Sequence, residues 1–376
     1  MVVAWAHRRS GYIGCCCVAL VLTGCPQLLG DDFLMSRDLE LPDAGLLSGR
    51  DGGSGAAGGA GASSSGGEWD AGLLGSSGAG GRNNGLPNCN DGTRNQDETA
   101  VDCGGSMCTP CNCQYGPFHD IVQVDGLGTD DRWGPMLAAD GAWLYYSVQT
   151  ATRGQEIFRA SRSGTATVFS NAQAVANVNG STLDSTPFLT ADQLTLYFSS
   201  DRAGGLGNRD LWAATRASAA DAFSAPEIVP AVNSSASDLL PRSSADGLTL
   251  MFESTRAGGS GSSDIWAAER STPSGAFGAP RPRADLNTPE REEGFSLSGD
   301  QLTIVLSSSR GGDSMDLFLA TRAGPNADFG PLTPIIELNG SLDELDPGLS
   351  RNGGEIFFTS TRDGDVRIYH ALRDCQ

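Results

Sequence analysis

The sequence predicts an all-β chain: a five-bladed β-propeller over residues 115–376, preceded by a flexible linker and a small disulfide-rich module. Three observations predict it. One apolar strand recurs five times, as Leu144-Tyr145-Tyr146-Ser147, Leu196-Tyr197-Phe198-Ser199, Leu250-Met251-Phe252-Glu253, Ile304-Val305-Leu306-Ser307 and Ile356-Phe357-Phe358-Thr359, at offsets of 52, 54, 54 and 52 residues. A period near fifty residues signals a repeat architecture. Each unit holds four short strand signals, the content of a propeller blade. The last unit stops after its third strand, while a spare fourth strand, Pro117 to Val124, precedes the first unit.

Within a unit the elements follow a fixed order. An acid precedes the first strand: Asp131, Asp184, Asp238, Glu292 and Asp346. A turn pair such as Asp140-Gly141, Asp246-Gly247 or Asn352-Gly353 follows, because Gly and Asn tolerate positive φ. The apolar strand comes next and ends near an arginine: Arg153, Arg202, Arg256, Arg310 or Arg362. A glycine-rich loop leads to the third strand, typified by Asp210-Leu211-Trp212 and Asp264-Ile265-Trp266. A looser fourth strand closes the unit around Val168, Phe223–Val229, Phe277–Leu286 and Phe329–Leu338. One blade cannot cover its own apolar faces, so the blades must stack, and ring closure removes the terminal edges. The spare strand 117–124 is expected to complete the last blade beside 366–372.

The N-terminal part directs the chain. His7, Arg8 and Arg9 precede a short apolar stretch from Gly11 to Leu22, read with residues 1–24 as an export signal. It ends in Leu22-Thr23-Gly24-Cys25, which resembles the lipobox of bacterial lipoproteins. The resemblance implies cleavage before Cys25 and diacylglyceryl attachment to its sulfur, a lipid anchor to the cell envelope at the outer membrane or periplasmic face. Residues 25–86 form the tether, mostly Gly, Ser and Ala from Asp43 onward, which bury too little surface to fold.

Residues 87–114 carry Cys89, Cys103, Cys108, Cys111 and Cys113. This pattern resembles a cysteine-rich module of myxobacterial surface lipoproteins. With Cys375 the exported chain holds six cysteines apart from Cys25, an even number that reads as disulfides in an oxidising compartment. Cys103, Cys108, Cys111 and Cys113 could also bind zinc, but their spacing is irregular. Asp91, Asn95, Asp97, Glu98 and Asp102 offer oxygens for calcium without EF-hand spacing, so no cofactor is expected and Ca²⁺ is the alternative. Ring closure would bring Cys375 near Cys111 or Cys113. A bond there closes a loop of some 260 residues, stabilising by about 4–5 kcal/mol in the chain-entropy model.

The motif Asp-x-x-Pro, Asp-Gly, Leu-Tyr-Phe-Ser-Ser-x-Arg-x-Gly-Gly and Asp-Ile-Trp resembles the WD-like units of the TolB C-terminal propeller. That resemblance implies the fold and a tendency to bind proteins or surface polymers, and no reaction. TolB-type propellers commonly have six blades and an N-terminal α/β domain, so the count of five departs from the pattern.

The chain has 45 acidic against 25 basic side chains, net charge −20, which repels phosphate backbones and excludes nucleic acid as the expected partner. Mature histidines are His119 and His370, with no serine nucleophile motif beside them, so no enzyme of the Ser-His-Asp kind is expected. The five repeated acids could ring one end of the channel, holding a cation or supplying a glycosidase pair. Recurrence in every blade favours a scaffold role, bound to backbone amides or the repeated arginines. The expected function is a non-catalytic envelope lipoprotein binding a protein or polysaccharide; the alternative is a glycan-binding or glycoside-hydrolysing propeller.

Overall fold

The computed structural model describes residues 113–376, which form five four-stranded antiparallel sheets. The expectations for residues 1–112 (the signal, Cys25, the linker, Cys89, Cys103, Cys108, Cys111 and the acids Asp91 to Asp102) lie outside them. β1 (Tyr115–Gln123) comes first in the chain. Blade one holds β2 (Arg132–Leu137), β3 (Trp143–Thr150), β4 (Gly154–Ser161) and β5 (Ser170–Ala174). Blade two holds β6 (Asp184–Leu189), β7 (Thr195–Ser200), β8 (Asp210–Thr215) and β9 (Glu227–Ile228). Blade three holds β10 (Asp238–Ser243), β11 (Thr249–Ser254), β12 (Asp264–Glu269) and β13 (Arg281–Pro282). Blade four holds β14 (Glu292–Leu297), β15 (Thr303–Ser308), β16 (Asp316–Thr321) and β17 (Thr333–Pro334). Blade five holds β18 (Glu344–Leu349), β19 (Glu355–Ser360) and β20 (Arg367–Cys375), completed by β1.

The first strand of each blade packs against the first strands of both neighbours, so β2, β6, β10, β14 and β18 surround the axis. Each of them slips register near its start, after the second residue in four and after Glu292, the first, in β14. Four place the bulge residue in left-handed backbone: Gly134 at φ 60°, Thr186 at 53°, Leu240 at 50° and Asp346 at 48°. In these four a proline follows, tolerated because the strand is an edge with no outer ladder partner.

The core is five cores, one per seam. Between blades one and two, Tyr145 and Ile157 meet Leu196, Phe198 and Trp212. The same arrangement joins two to three, three to four and four to five. The closing seam buries Phe357 and Ile368 against Leu144 and Tyr146. Alternate residues of each second strand therefore face opposite blades, which explains why three consecutive positions of these strands are apolar.

Closure mixes the two ends as the sequence predicts. β1 pairs with β20, setting Val122 opposite His370 and Phe118 opposite Arg373, and the Val124 amide donates to the Ile368 carbonyl at 2.9 Å. A disulfide joins Cys113 to Cys375, across 262 residues of sequence, with Cα atoms 5.2 Å apart. The chain-entropy model assigns a loop of that length about 5 kcal/mol. Cys375→Ser is expected to lower the melting temperature by about 10 °C, at roughly 2–4 °C per kcal/mol for a domain of this size. Scanning calorimetry with and without dithiothreitol checks this, because reductant should bring the wild type down to the variant.

Candidate functional site

Three of the five repeated acids are consumed by the scaffold. Asp184 is fully buried; its Oδ1 accepts from Arg202 Nη2 at 2.5 Å and its Oδ2 from the Gly180 amide at 2.6 Å. Asp238 takes Arg256 at 2.5 Å, the Ser254 hydroxyl at 2.6 Å and the Ser234 amide at 2.6 Å. Glu292 does the same with Arg310, Ser308 and the Thr288 amide. The arginine also donates to the carbonyl of the segment arriving from the previous blade: Val178, Val232, Leu286 or Leu338. Its guanidinium lies over an aromatic ring, 5.3 Å from Trp212 for Arg202 and 5.2 Å from Trp266 for Arg256.

Two of the five acids stand elsewhere than the sequence alignment set them. In blade five the buried lock acid is Glu344, which accepts from Arg362 at 3.1 Å, Ser360 at 3.0 Å and the Gly340 amide at 2.9 Å. Asp346 lies two residues further on, at the left-handed bulge position that Gly134, Thr186 and Leu240 occupy in blades one to three. In blade one the lock position is Arg132, opposite Val148 as Asp184 is opposite Ser200. Asp131 precedes it, side chain 44% exposed, and pairs with Arg367 at 3.1 Å. Arg132 Nε donates to the Leu127 carbonyl at 3.1 Å, so here a cation in the acid's place fastens the incoming segment directly. Arg153 stands outside the series and pairs with Glu156.

An asparagine the sequence reading passed over completes the device. Asn179, Asn233, Asn287 and Asn339 each accept from, and donate to, one residue of the previous blade's third strand: Ile157, Leu211, Ile265 and Leu317. Each lies five residues before its lock acid. That constant offset was the available signal, and it points to Glu344 rather than Asp346. Asp210 and Asp264 cap amides of their own glycine loops. Gly207 and Gly261 are required there, since a Cβ would stand 1.9 Å from the Ala236 or Glu290 carbonyl of the segment entering the next blade.

What remains at the axis is what breaks the repeat. Ser147, Ser199, Ser307 and Thr359 share one position on the second strands, and their hydroxyls fasten the bulges, as Ser147 does in accepting the Thr186 amide at 2.9 Å. Blade three has Glu253 there, 4% exposed, its Oε1 accepting from Ser263 at 2.6 Å. Burial raises the Glu253 carboxyl well above its ordinary value, and the charges of Glu293 and Asp346 add to it. Glu293 is raised by burial, with Asp346 and Asp343 adding and its ion-pair partner Arg291 opposing. Asp346 is raised by burial against Arg242 and the Gly134 amide, which donates to it at 3.1 Å. Three covered, unrepeated carboxylates with shifted protonation make a candidate site on physical grounds. Among the described residues no group of three His, Cys, Asp or Glu side chains is arranged to hold a metal ion. His119 and His370 are not brought together: His119 is half-exposed beside Asp120 and Asp374, and buried His370 lies 3.0 Å from Glu355.

The propeller has two openings elsewhere. A cavity of about 60 Å³ lies at the axis where the inner strands end, lined by residues of all five blades including Arg242 and Arg351. A groove of about 730 Å³ runs between blades three and four, with Met251, Pro282 and Pro325 beside Arg281, Arg283 and Arg322.

No protein-family model and no curated protein matches the chain. Among solved structures it is similar to TolB from Acinetobacter baumannii, at 16% identity and TM-score 0.41, covering 65% of this chain and 55% of that one. A putative TolB from Agrobacterium tumefaciens gives 14% and 0.44, covering 69% and 89%. The endo-arabinase from Bacteroides thetaiotaomicron gives 13% and 0.45, covering 67% and 96%. This chain therefore spans little more than half of the Acinetobacter protein, and its function is argued from its own residues.

Two outcomes follow. Asp238→Ala strands Arg256 and should cost about 3–5 kcal/mol in urea unfolding, whereas Asp131→Ala, at a half-exposed pair, should cost under about 1 kcal/mol. For Glu253 the folded value exceeds the ordinary 4.5, so the native state holds its proton longer than the unfolded chain. Stability therefore falls as pH rises above 4.5. Glu253→Gln should raise the melting temperature at pH 8 and leave it nearly unchanged at pH 4.

Proposed function

We propose that the protein is a lipid-anchored envelope protein, tethered through Cys25 on the Gly/Ser-rich segment. It displays a non-catalytic five-bladed propeller that binds a protein or polymer. The closed axis carries this reading. A cavity of about 60 Å³ holds roughly four to six water-sized groups at ~10–15 Å³ each, far below the ~300 Å³ or more of a usual ligand pocket. The carboxylates nearest it are covered, and the repeated ones are bonded into the scaffold. Recognition then falls to the loops at either end and to the groove between blades three and four. The cysteine-rich module, with Cys89, Cys103, Cys108 and Cys111, lies between tether and propeller as a disulfide-fixed spacer, and no bound cofactor is needed.

A second reading, glycoside hydrolysis, has one observation in its favour: Glu253 and Glu293 are unrepeated, covered and shifted toward protonation, as a general acid requires.

Metabolic palmitate labelling of cells should mark the wild type and not Cys25→Ser. Detergent-solubilised full-length protein should capture a partner from its own envelope or from a glycan array without product release. Hydrolysis of aryl glycosides or plant-type polysaccharides that disappears in both Glu253→Gln and Glu293→Gln would replace the binding reading with the enzymatic one.

A further inference from the structure

The seam between blades three and four departs from its neighbours, and a groove of about 730 Å³ lies there. On the second strand, the position that packs against the next blade holds Tyr145 in blade one, Tyr197 in blade two and Met251 in blade three. Opposite it on the third strand stands Arg159 in blade one and Ala267 in blade three, while blade four fills the same place with Leu319. Past the fourth strand, the segment leaving the blade buries Val175, Val229 and Ile335, each amide bonded to a carbonyl of the third strand. Blade three makes the same bond with Arg283. A thinner side chain and a charged one thus stand where the other seams keep core.

The walls are rigid. Asp285 accepts from Arg283 Nε at 2.9 Å and Nη2 at 2.6 Å, and the same carboxylate accepts the Phe329 amide across the seam at 3.0 Å. Arg283 Nη1 points to the Met251 sulfur, 4.0 Å away in the groove. On the far wall, Arg322 Nε donates to the Gln301 carbonyl at 2.7 Å. Both guanidinium groups lie over the Phe329 ring, at 5.8 Å for Arg283 and 4.4 Å for Arg322. These side chains are ordered before a ligand arrives, so binding need not freeze them. Arg281, Glu269 and Asp328 complete the polar lining and are exposed.

This chemistry narrows the ligand. Guanidinium and carboxylate groups share the lining, so neither sign prevails and a highly charged polymer of either sign is disfavoured. No aromatic side chain lines the groove, so it lacks the anchor socket that peptide interfaces use. Its sides are strand faces, and Pro282 removes an amide from the one strand edge beside it, so an added strand finds no ladder. A ligand with neighbouring hydroxyls, each both donor and acceptor, meets both kinds of fork. The groove's volume also falls within the roughly 300–1,000 Å³ usual for ligand sites. We propose that the groove between blades three and four binds a short stretch of an uncharged polysaccharide. This rests on the binding reading above and gives it a ligand class and a place.

Full-length protein in detergent is screened on an array of neutral and uronate-bearing oligosaccharides, and the best neutral probe is titrated by calorimetry. Two variants are compared with the wild type. Met251→Tyr fills the groove with the residue that blades one and two carry at that place. Arg281→Ala combined with Asp328→Ala strips exposed polar groups and leaves the core intact. Saturable binding of a neutral oligosaccharide, weakened about tenfold or more in both, is expected. Circular dichroism checks each fold, and the double variant suffices if Met251→Tyr does not fold. A wild type that binds no oligosaccharide, a strict preference for uronates, or equal binding by the folded variants overturns the proposal. In that event capture of an envelope protein by the wild type leaves the binding reading standing, and capture of nothing removes both.

Discussion

The ring depends on how one blade hands the chain to the next. The connecting segment carries an asparagine that zips onto the blade it leaves and an acid, five residues later, that anchors the blade it enters. The arginine at the end of the second strand joins both, bonding the acid, the segment's carbonyl and an aromatic ring at once. A buried ion pair alone stabilises little, because desolvation offsets attraction. In Asp238, Glu292 and Glu344 both oxygens of the acid are also met by an amide or hydroxyl, so the pair fixes the geometry of the crossover. That geometry sets the angle between neighbouring blades, and the angle sets how many close a ring.

The seam between blades five and one needs other means, because two chain ends meet there. Asparagine is replaced by Leu127 and the acid by Arg132. The loss is offset by covalent closure through Cys113 and Cys375 and by a second network on the same seam. Arg162 of blade one grips Glu355 of blade five through both nitrogens, at 2.8 and 3.2 Å, and His370 meets the same carboxylate. Burial alone would raise the Glu355 carboxyl; the bonds from His370 and Arg162 outweigh it and hold the group below its ordinary value. Arg162 also lies 5.6 Å from the Phe169 ring and 5.5 Å from Phe357, so the charged contact rests on the seam's own apolar core.

The blade count, the strand order and the closure by β1 were legible because each follows from apolar periodicity and from a strand missing at one end and spare at the other. The lock acids were legible in three blades and misplaced in two. Asp346 resembles the others in standing before a proline, but the bulge makes residues two apart compete for the same apparent register. Only the asparagine offset separates them. Asp131 failed for a different reason: the lock position of blade one holds Arg132, which itself donates to a carbonyl of the incoming segment, and no pattern of acids can reveal that.

Glu253 was visible in the aligned strands, as the one carboxylate among three serines and a threonine, yet alignment by similarity discards such differences. In a repeat protein the scaffold is what all units share, and a property that a single ligand needs must appear in the units that deviate. Blades three, four and five carry Glu253, Glu293 and Asp346 around one part of the axis, and Arg242 and Arg351 face the cavity at its end. Asp346 is felt by both sets: it raises the glutamates and is in turn restrained by Arg242. The two irregular clusters are therefore electrically one region, built by the three blades that depart from the common pattern and sealed by the ring that all five maintain.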